Sequence, residues 1–328
     1  MRTARAALVA LVVAAALSAC ATTAAPPGTD GPAARATVPM PAGVVDPAAP
    51  PTVDSGGSDG GCDPTASSLP PSGPLPTPGH MPAGSTMAQI QQSGVLRVGV
   101  DQNTYNWGYR DPATGQIVGF DIDVARAIAR AIFGGDDHIQ FVAITAAQRI
   151  PAIQQNQVDL VADTMTITCD RLQQVAFSSV YYQAGQQVLV PRSSSVRGID
   201  DLGGKKVCAA AGSTSIANIA ARPSHPVPVA VTDWTDCLVL LQQGQVDAIS
   251  TDNAILAGMV AQDPTTKIVG AAFTHEPYGL AMSRNDPGFN RFVNAVLAKM
   301  RSDGEWAAIY RKWLPGAVPA PPVARYQG

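Results

Sequence analysis

An internal echo constrains this chain more than any other feature. AIQQNQVDLVADTM, residues 152–165, and VLLQQGQVDAISTD, residues 239–252, share a helix ending, a QVD entry and a strand-forming run. Aligning Asp159 with Asp247 sets Asp163 opposite Thr251 and Thr164 opposite Asp252. A repeated helix-to-strand unit predicts two equivalent α/β halves, each delivering polar residues to the carboxyl end of a strand. Open α/β sheets bind ligands outside those ends. Two such halves facing one another make a polar cleft.

The surrounding pattern agrees with an α/β fold of largely parallel sheets. Strands are predicted over 95–100, 158–165, 187–190, 206–210 and 246–250. Residues 120–133 read as a helix with Val124, Ile128, Ala131 and Ile132 on one face. Asp121 and Asp123 suit its N-terminal dipole, and Gly134-Gly135 stops it. Residues 290–313 read as helical, with Phe292, Val296, Met300, Trp306, Ile309 and Tyr310 on apolar faces.

Arg2 and Arg5 precede an apolar run from Ala6 to Ala19. This run is too short to span roughly 30 Å of hydrocarbon and has the form of a secretory signal over 1–19. It closes with Leu17-Ser18-Ala19-Cys20, which resembles the bacterial lipobox and implies a lipid on Cys20 and a protein anchored to the outer face of the membrane. Residues 20–86 hold 15 of the 28 prolines. Such a composition buries too little apolar surface to offset its ordering entropy, so a disordered tether is expected, with a reach on the order of 45 Å.

The formal net charge of −3 becomes −5 once Arg2 and Arg5 leave with the signal. There is no basic footprint for nucleic acid. Cys62, Cys169, Cys208 and Cys237 remain besides Cys20, and an even number in an exported chain points to disulfides. These cysteines are not closely spaced and the four histidines are scattered, so neither a metal nor another cofactor is expected.

GVLRVGV, GQIVGFDIDVARAIARAI, AAQRIPAIQQNQVDLVADTMTITCDR, VAFSSVYY, DLGGKKVCAAAGSTS, LQQGQVDAISTDN and EPYGLAMSRNDPGFNRFVNAVL, in this order, resemble the polar amino-acid branch of bacterial extracellular solute-binding proteins. The resemblance covers residues 89–315. It implies a two-lobed fold of the type II periplasmic-binding-protein kind, with a hinge that closes over one amino acid. The first lobe would hold 87–190 and 275–316, the second 191–274, and 317–328 would form a tail. The implied partners are a small-molecule amino acid and either an ABC permease or a membrane sensor.

The same resemblance assigns roles. Thr164, Thr166 and Arg171 would grip the ligand's α-carboxylate, for which a guanidinium offers two parallel donors. Gly212, Ser213 and Thr214 would seat an anion at a helix start, although Ala210 stands where some glutamine-binding relatives carry a lysine. Asp252 would meet the ligand ammonium. Arg149 matches an arginine that meets a side-chain carboxylate in some acidic amino-acid binders. Asp101 would offset the surplus positive charge and favour an amide, while Trp107, Tyr109 and Arg110 would pack on ligand methylenes. Cys208 ends a second-lobe strand and Cys237 begins the repeat helix of the same lobe, so these two are expected to pair. Cys62 and Cys169 form the remaining pair.

A few relatives on this scaffold are dehydratases, which need a general acid in the cleft. Only Glu276 and Glu305 are glutamates, and only Glu276 could line a hinge. No nucleophile–base arrangement and no phosphate loop stands beside it; GSTS lacks the P-loop lysine. The reading is a binding protein for glutamate or aspartate, or for glutamine or asparagine.

Overall fold

The computed structural model describes residues 38–49 and 62–327. Two five-stranded sheets organise it. The first has the order Ile139–Ala143, Leu96–Val100, Leu160–Val161, Ala281–Met282, Ala176–Phe177; the second has Val227–Val231, Lys206–Ala210, Ala248–Asp252, Gln186–Pro191, Thr266–Val269. In each sheet only the fourth strand runs antiparallel to its neighbours.

That reversed strand has a simple origin. Tyr182–Ala184 and Glu276–Tyr278 pair antiparallel as a two-stranded crossing, with Tyr278 opposite Tyr182. Each crossing strand runs on into the reversed strand of the sheet it enters. The two halves are thus lobes joined by a double crossing.

The strand Gln186–Pro191 belongs to the second sheet, pairing with Ala248–Asp252 and Thr266–Val269. The boundary expected after residue 190 therefore falls before Gln186. Val188, Leu189 and Val190 are all buried, so the run lacks the alternation of a half-exposed strand and carries no mark of which sheet it joins.

The echo is a structural equivalence. The Asp159 amide donates to the Arg97 carbonyl (2.9 Å), and the Arg97 amide donates back to the Asp159 carboxylate (2.9 Å). The Asp247 amide and carboxylate form the same pair with Lys206 (2.9 and 2.9 Å). Each aspartate locks its strand against the parallel strand beside it.

Helix Phe120–Phe133 packs in the first core and ends at Gly134 with φ 90°. The helical stretch expected over 290–313 is two helices, Pro287–Ser302 and Glu305–Trp313, broken at Gly304 with φ 83°. The strand expected over 158–165 pairs only at Leu160–Val161, because the chain turns out of the sheet at Thr164, which has φ 40°.

The expected tether is ordered in part. Val45 exchanges two backbone hydrogen bonds with Ala230 (2.9 and 3.0 Å), and the Ala48 amide donates to Pro228 (2.8 Å), so this segment borders the second sheet. Residues 62–69 lie on the first lobe, where Ser68 and Leu69 bond to Asn290 and Asn294. The tail returns to the same place: the Gln327 amide donates to the Ser68 carbonyl (2.9 Å). Proline-rich composition hid this because these segments are held largely by backbone groups and, at 62–69, by two buried asparagines, with Ala48 and Val44 adding contacts to the second core without any periodic apolar pattern. Disulfides join Cys62 to Cys169 and Cys208 to Cys237. Cys20 lies outside the described residues. Among the described residues, no helix is long and apolar enough to cross a membrane.

Candidate functional site

At the carboxyl ends of the two echo strands, charged side chains from both lobes meet under almost complete burial. Arg149 and Arg171 come from the first lobe, on helices Arg149–Gln154 and Cys169–Leu172. Arg171 donates to the Thr166 carbonyl (2.7 Å) and to the Gly212 carbonyl of the second lobe (3.1 Å). Arg149 donates to the Asp163 carbonyl (2.9 Å) and reaches the same Gly212 carbonyl (3.4 Å). Gly212 has φ 77°, and a Cβ there would lie 2.5 Å from Ala147 Cα. Only glycine permits both that backbone and that approach.

Two guanidiniums sharing one carbonyl repel. Burial first, and then Arg149, pull the Arg171 pKa down to about 9. An anion bonded to both cations relieves this repulsion, which a lone carbonyl dipole cannot do.

Asp252 closes the second-lobe strand and is buried. Its Oδ2 accepts from the Tyr278 hydroxyl on the crossing strand (2.6 Å), and its Oδ1 has no partner. Burial, and after it the Glu276 charge, raises its pKa to about 7. Asp163 Oδ2 and Thr164 Oγ1 are likewise buried without a hydrogen bond. Asp163 Oδ2 still faces the Arg149 guanidinium at 4.0 Å, whereas Asp252 Oδ1 and Thr164 Oγ1 are without a hydrogen-bond partner. A buried acceptor left unpaired is costly, so these oxygens and the two crowded cations leave polar groups for a bound polar molecule to satisfy.

Several expected contacts are used otherwise. Asp101 accepts from the amides of Gln102 and Asn103 (2.5 and 2.8 Å) and from the Thr104 hydroxyl, so its carboxylate closes its own turn. Arg110 is exposed and bonds to Gln102 and Gly115 within its hairpin. Trp107 is fully buried, donates to the Ala254 carbonyl of the second lobe (3.1 Å), and stacks edge-on against Tyr278; it joins the lobes. Tyr109 packs against Tyr105 and Trp313.

The hydroxyls of the Gly212 turn are also engaged. Ser213 donates to the Ala210 carbonyl (2.6 Å) and Thr214 to Glu276 (3.0 Å). Glu276 accepts further from Asn218 and Thr274. Its carboxylate is committed to the lobe–crossing joint, which leaves it unsuited to act as a general acid.

Sequence reasoning missed Asp121. Its charge suits a helix start, yet it is buried, accepting from the Thr164 amide (2.8 Å) and the Tyr181 hydroxyl (2.7 Å). Burial lifts its pKa to about 7. It holds Thr164 in its left-handed conformation, and only the tertiary approach of residue 164 reveals this.

Comparison with known proteins adds a chemical context. Residues 96–316 match the model for bacterial extracellular solute-binding proteins, family 3. The chain is 39% identical over 230 residues to the ABC transporter glutamine-binding protein of Bacillus subtilis, covering 70% of this chain and 84% of that one. It is 28% identical over 249 residues to the glutamate/aspartate import solute-binding protein of Salmonella typhimurium, covering 72% and 82%. The crystal structure of a cysteine-binding protein from Campylobacter jejuni superposes with a TM-score of 0.67 at 28% identity, over 70% of this chain and 93% of that one.

Proposed function

Since the chain belongs to the bacterial extracellular solute-binding proteins, family 3, we propose that it captures one polar amino acid between its lobes outside the cytoplasm and delivers it to an ABC importer. The observation that carries this reading is the opposition of charge across the lobe junction. Arg171 and Arg149 reach over from the first lobe, and Asp252, with a free buried oxygen, stands on the second. A zwitterion satisfies both poles at once. Its carboxylate takes the parallel donors of Arg171, and its ammonium pairs with Asp252, as a buried charge requires. Thr164 and Thr166 border the carboxylate. Arg149 reads the side chain, and an acidic group there relieves its repulsion with Arg171.

Binding by both lobes favours the closed arrangement about the paired crossing strands. The first lobe then comprises the sheet with Leu96–Val100, and the second the sheet with Lys206–Ala210. A lipid on Cys20 keeps the protein at the membrane. The relatives carry the names of binding proteins, not of enzymes, and Glu276 in its committed setting agrees.

Calorimetric titration of the exported chain from Ala21 with all twenty amino acids tests the reading. Saturable binding of glutamate, aspartate, glutamine or asparagine is expected, with apolar and cationic amino acids far weaker. Binding of none of the four overturns it.

A further inference from the structure

Arg171 sits on a four-residue helix, Cys169–Leu172. One turn of helix has almost no stability of its own, since nucleation costs more than a single turn returns. The preceding residues leave the first sheet and are held at Met165 and Ile167 by backbone bonds to Gly279 and Pro277 (3.1 and 2.8 Å); beyond them the turn itself depends on what grips it from outside. The Thr168 hydroxyl caps it, accepting from the Arg171 amide (3.2 Å), and Arg284 donates to the Gln173 carbonyl just beyond. The firmest attachment is covalent: Cys169, the first residue of the turn, is bonded to Cys62.

Cys62 is itself well founded. Its segment is tied to the body of the first lobe by the Ser68 hydroxyl on the Phe177 carbonyl (2.7 Å), by Asn294 on the Leu69 carbonyl (2.6 Å), and by Arg291 on the Pro70 carbonyl (2.7 Å). The tail fastens it from the other side, through Arg325 with Asp63 (3.0 Å) and Gln327 with Ser68. Between this segment and the turn lies a cavity of about 500 Å³ lined by Cys62, Leu69, Leu172 and Phe177. With that space between them, the segment steadies the turn chiefly through the disulfide.

We propose that the Cys62–Cys169 bridge is a positioning element for the Arg171 guanidinium, so that the segment N-terminal to the first lobe is mechanically coupled to the ligand's carboxylate grip. This rests on the reading that Arg171 holds the α-carboxylate. Hydrogen-bond geometry tolerates little displacement, and an error near 1 Å at a positioned group costs on the order of ten- to a hundredfold.

A double-mutant cycle separates positioning from general stabilisation. Affinity for the amino acid found by titration is measured by calorimetry, and the melting temperature by circular dichroism. Four forms of the exported chain are compared: wild type, Cys62→Ser/Cys169→Ser, Arg171→Ala, and all three substitutions together. The serine pair should weaken binding about tenfold in the wild-type background and leave it unchanged in the Arg171→Ala background, while lowering the melting temperature equally in both. An equal loss of affinity in both backgrounds, or no loss in the wild type, overturns the proposal. If Arg171→Ala alone leaves affinity intact, the carboxylate assignment fails instead.

Should the serine variant not fold, the bridge is opened in folded protein. Cys62 is exposed whereas Cys208 and Cys237 are fully buried, so dithiothreitol acts first on Cys62–Cys169. It leaves two protein thiols and closes to its own cyclic disulfide. The same cycle and the same criteria then apply to the reduced protein.

Discussion

The two echo strands start alike and end differently. Both are locked by an aspartate that exchanges hydrogen bonds with the neighbouring parallel strand. The second-lobe strand then continues in register through Asp252, paired with Gln186. Its first-lobe counterpart stops at Val161, turns at Thr164, and presents the carbonyls of Asp163 and Thr166 to arginines. One unit therefore ends in a negative pole and the other in a positive one. The fold supplies the same platform twice, and departure from the sheet at one copy turns it into a site for the opposite charge.

Substitutions at the two poles test this contrast, beginning with the largest effect. Arg171→Ala should leave a ligand carboxylate unpaired in a buried site, at a cost of about 3–5 kcal/mol, roughly a hundredfold to several thousandfold in affinity. Calorimetry across several ligands should give a similar loss for each. A loss restricted to acidic ligands would move Arg171 from the carboxylate to the side-chain end.

At the other pole, Asp252→Asn should weaken binding by about 1.5–3 kcal/mol, the worth of a charged hydrogen bond. The wild type should also bind in a pH-dependent manner. Its ligand-free carboxyl titrates near 7, and pairing with an ammonium lowers that value, so the complex holds fewer protons. Affinity should fall by up to about tenfold per pH unit below 7, level off above it, and lose this slope in Asp252→Asn. Stability without ligand should move the other way. Asp121 and Asp252 have folded pKa values raised from 3.8 to about 7, so the stability they contribute is fully present below 3.8 and is lost as pH rises towards 7. Thermal melts that strengthen across that window with rising pH would contradict these carboxyls' burial in neutral form.

Arg149→Ala should weaken glutamate or aspartate about tenfold to a hundredfold more than the matching amide. Equal weakening of acid and amide would make Arg149 a support for the Asp163 carbonyl and not a reader of side chains.

The smallest effect concerns the shared platform. Asp159 also binds the Arg97 guanidinium (2.6 Å), whereas Asp247 has only a distant lysine at 3.8 Å beyond its backbone contact. Asp159→Ala should cost about 1.5–3 kcal/mol and Asp247→Ala about 1. Chemical denaturation with equal losses for both would mean that the backbone exchange alone matters.

Much of the platform was legible in the sequence because it depends on short-range pattern. The QVD echo marks strand entries, and the apolar face of 120–133 marks a helix that packs in the core. Arg149, Arg171 and Asp252 stand out through the resemblance to the family, and the ends of the repeat strands are where α/β sheets place ligands. Asp101 and Arg110 show the limit of that signal. Asp101 follows a strand and Arg110 ends one, yet both bond to neighbours in their own ribbon; a carboxylate satisfied by two nearby amides gains nothing from turning to a cleft.

By itself, the sequence determined the α/β alternation and the repeat, which follow from periodicity and local hydrogen-bonding preference, and it carried the motifs whose resemblance to a family implied the two lobes and the residues of the site. Tertiary structure alone decided which strand crosses into which sheet, that Asp121 holds Thr164, that the proline-rich segment grips the first lobe, and that both arginines converge on Gly212. Those outcomes depend on contacts between residues tens to hundreds of positions apart. Burial, not local pattern, selects which polar groups must find each other.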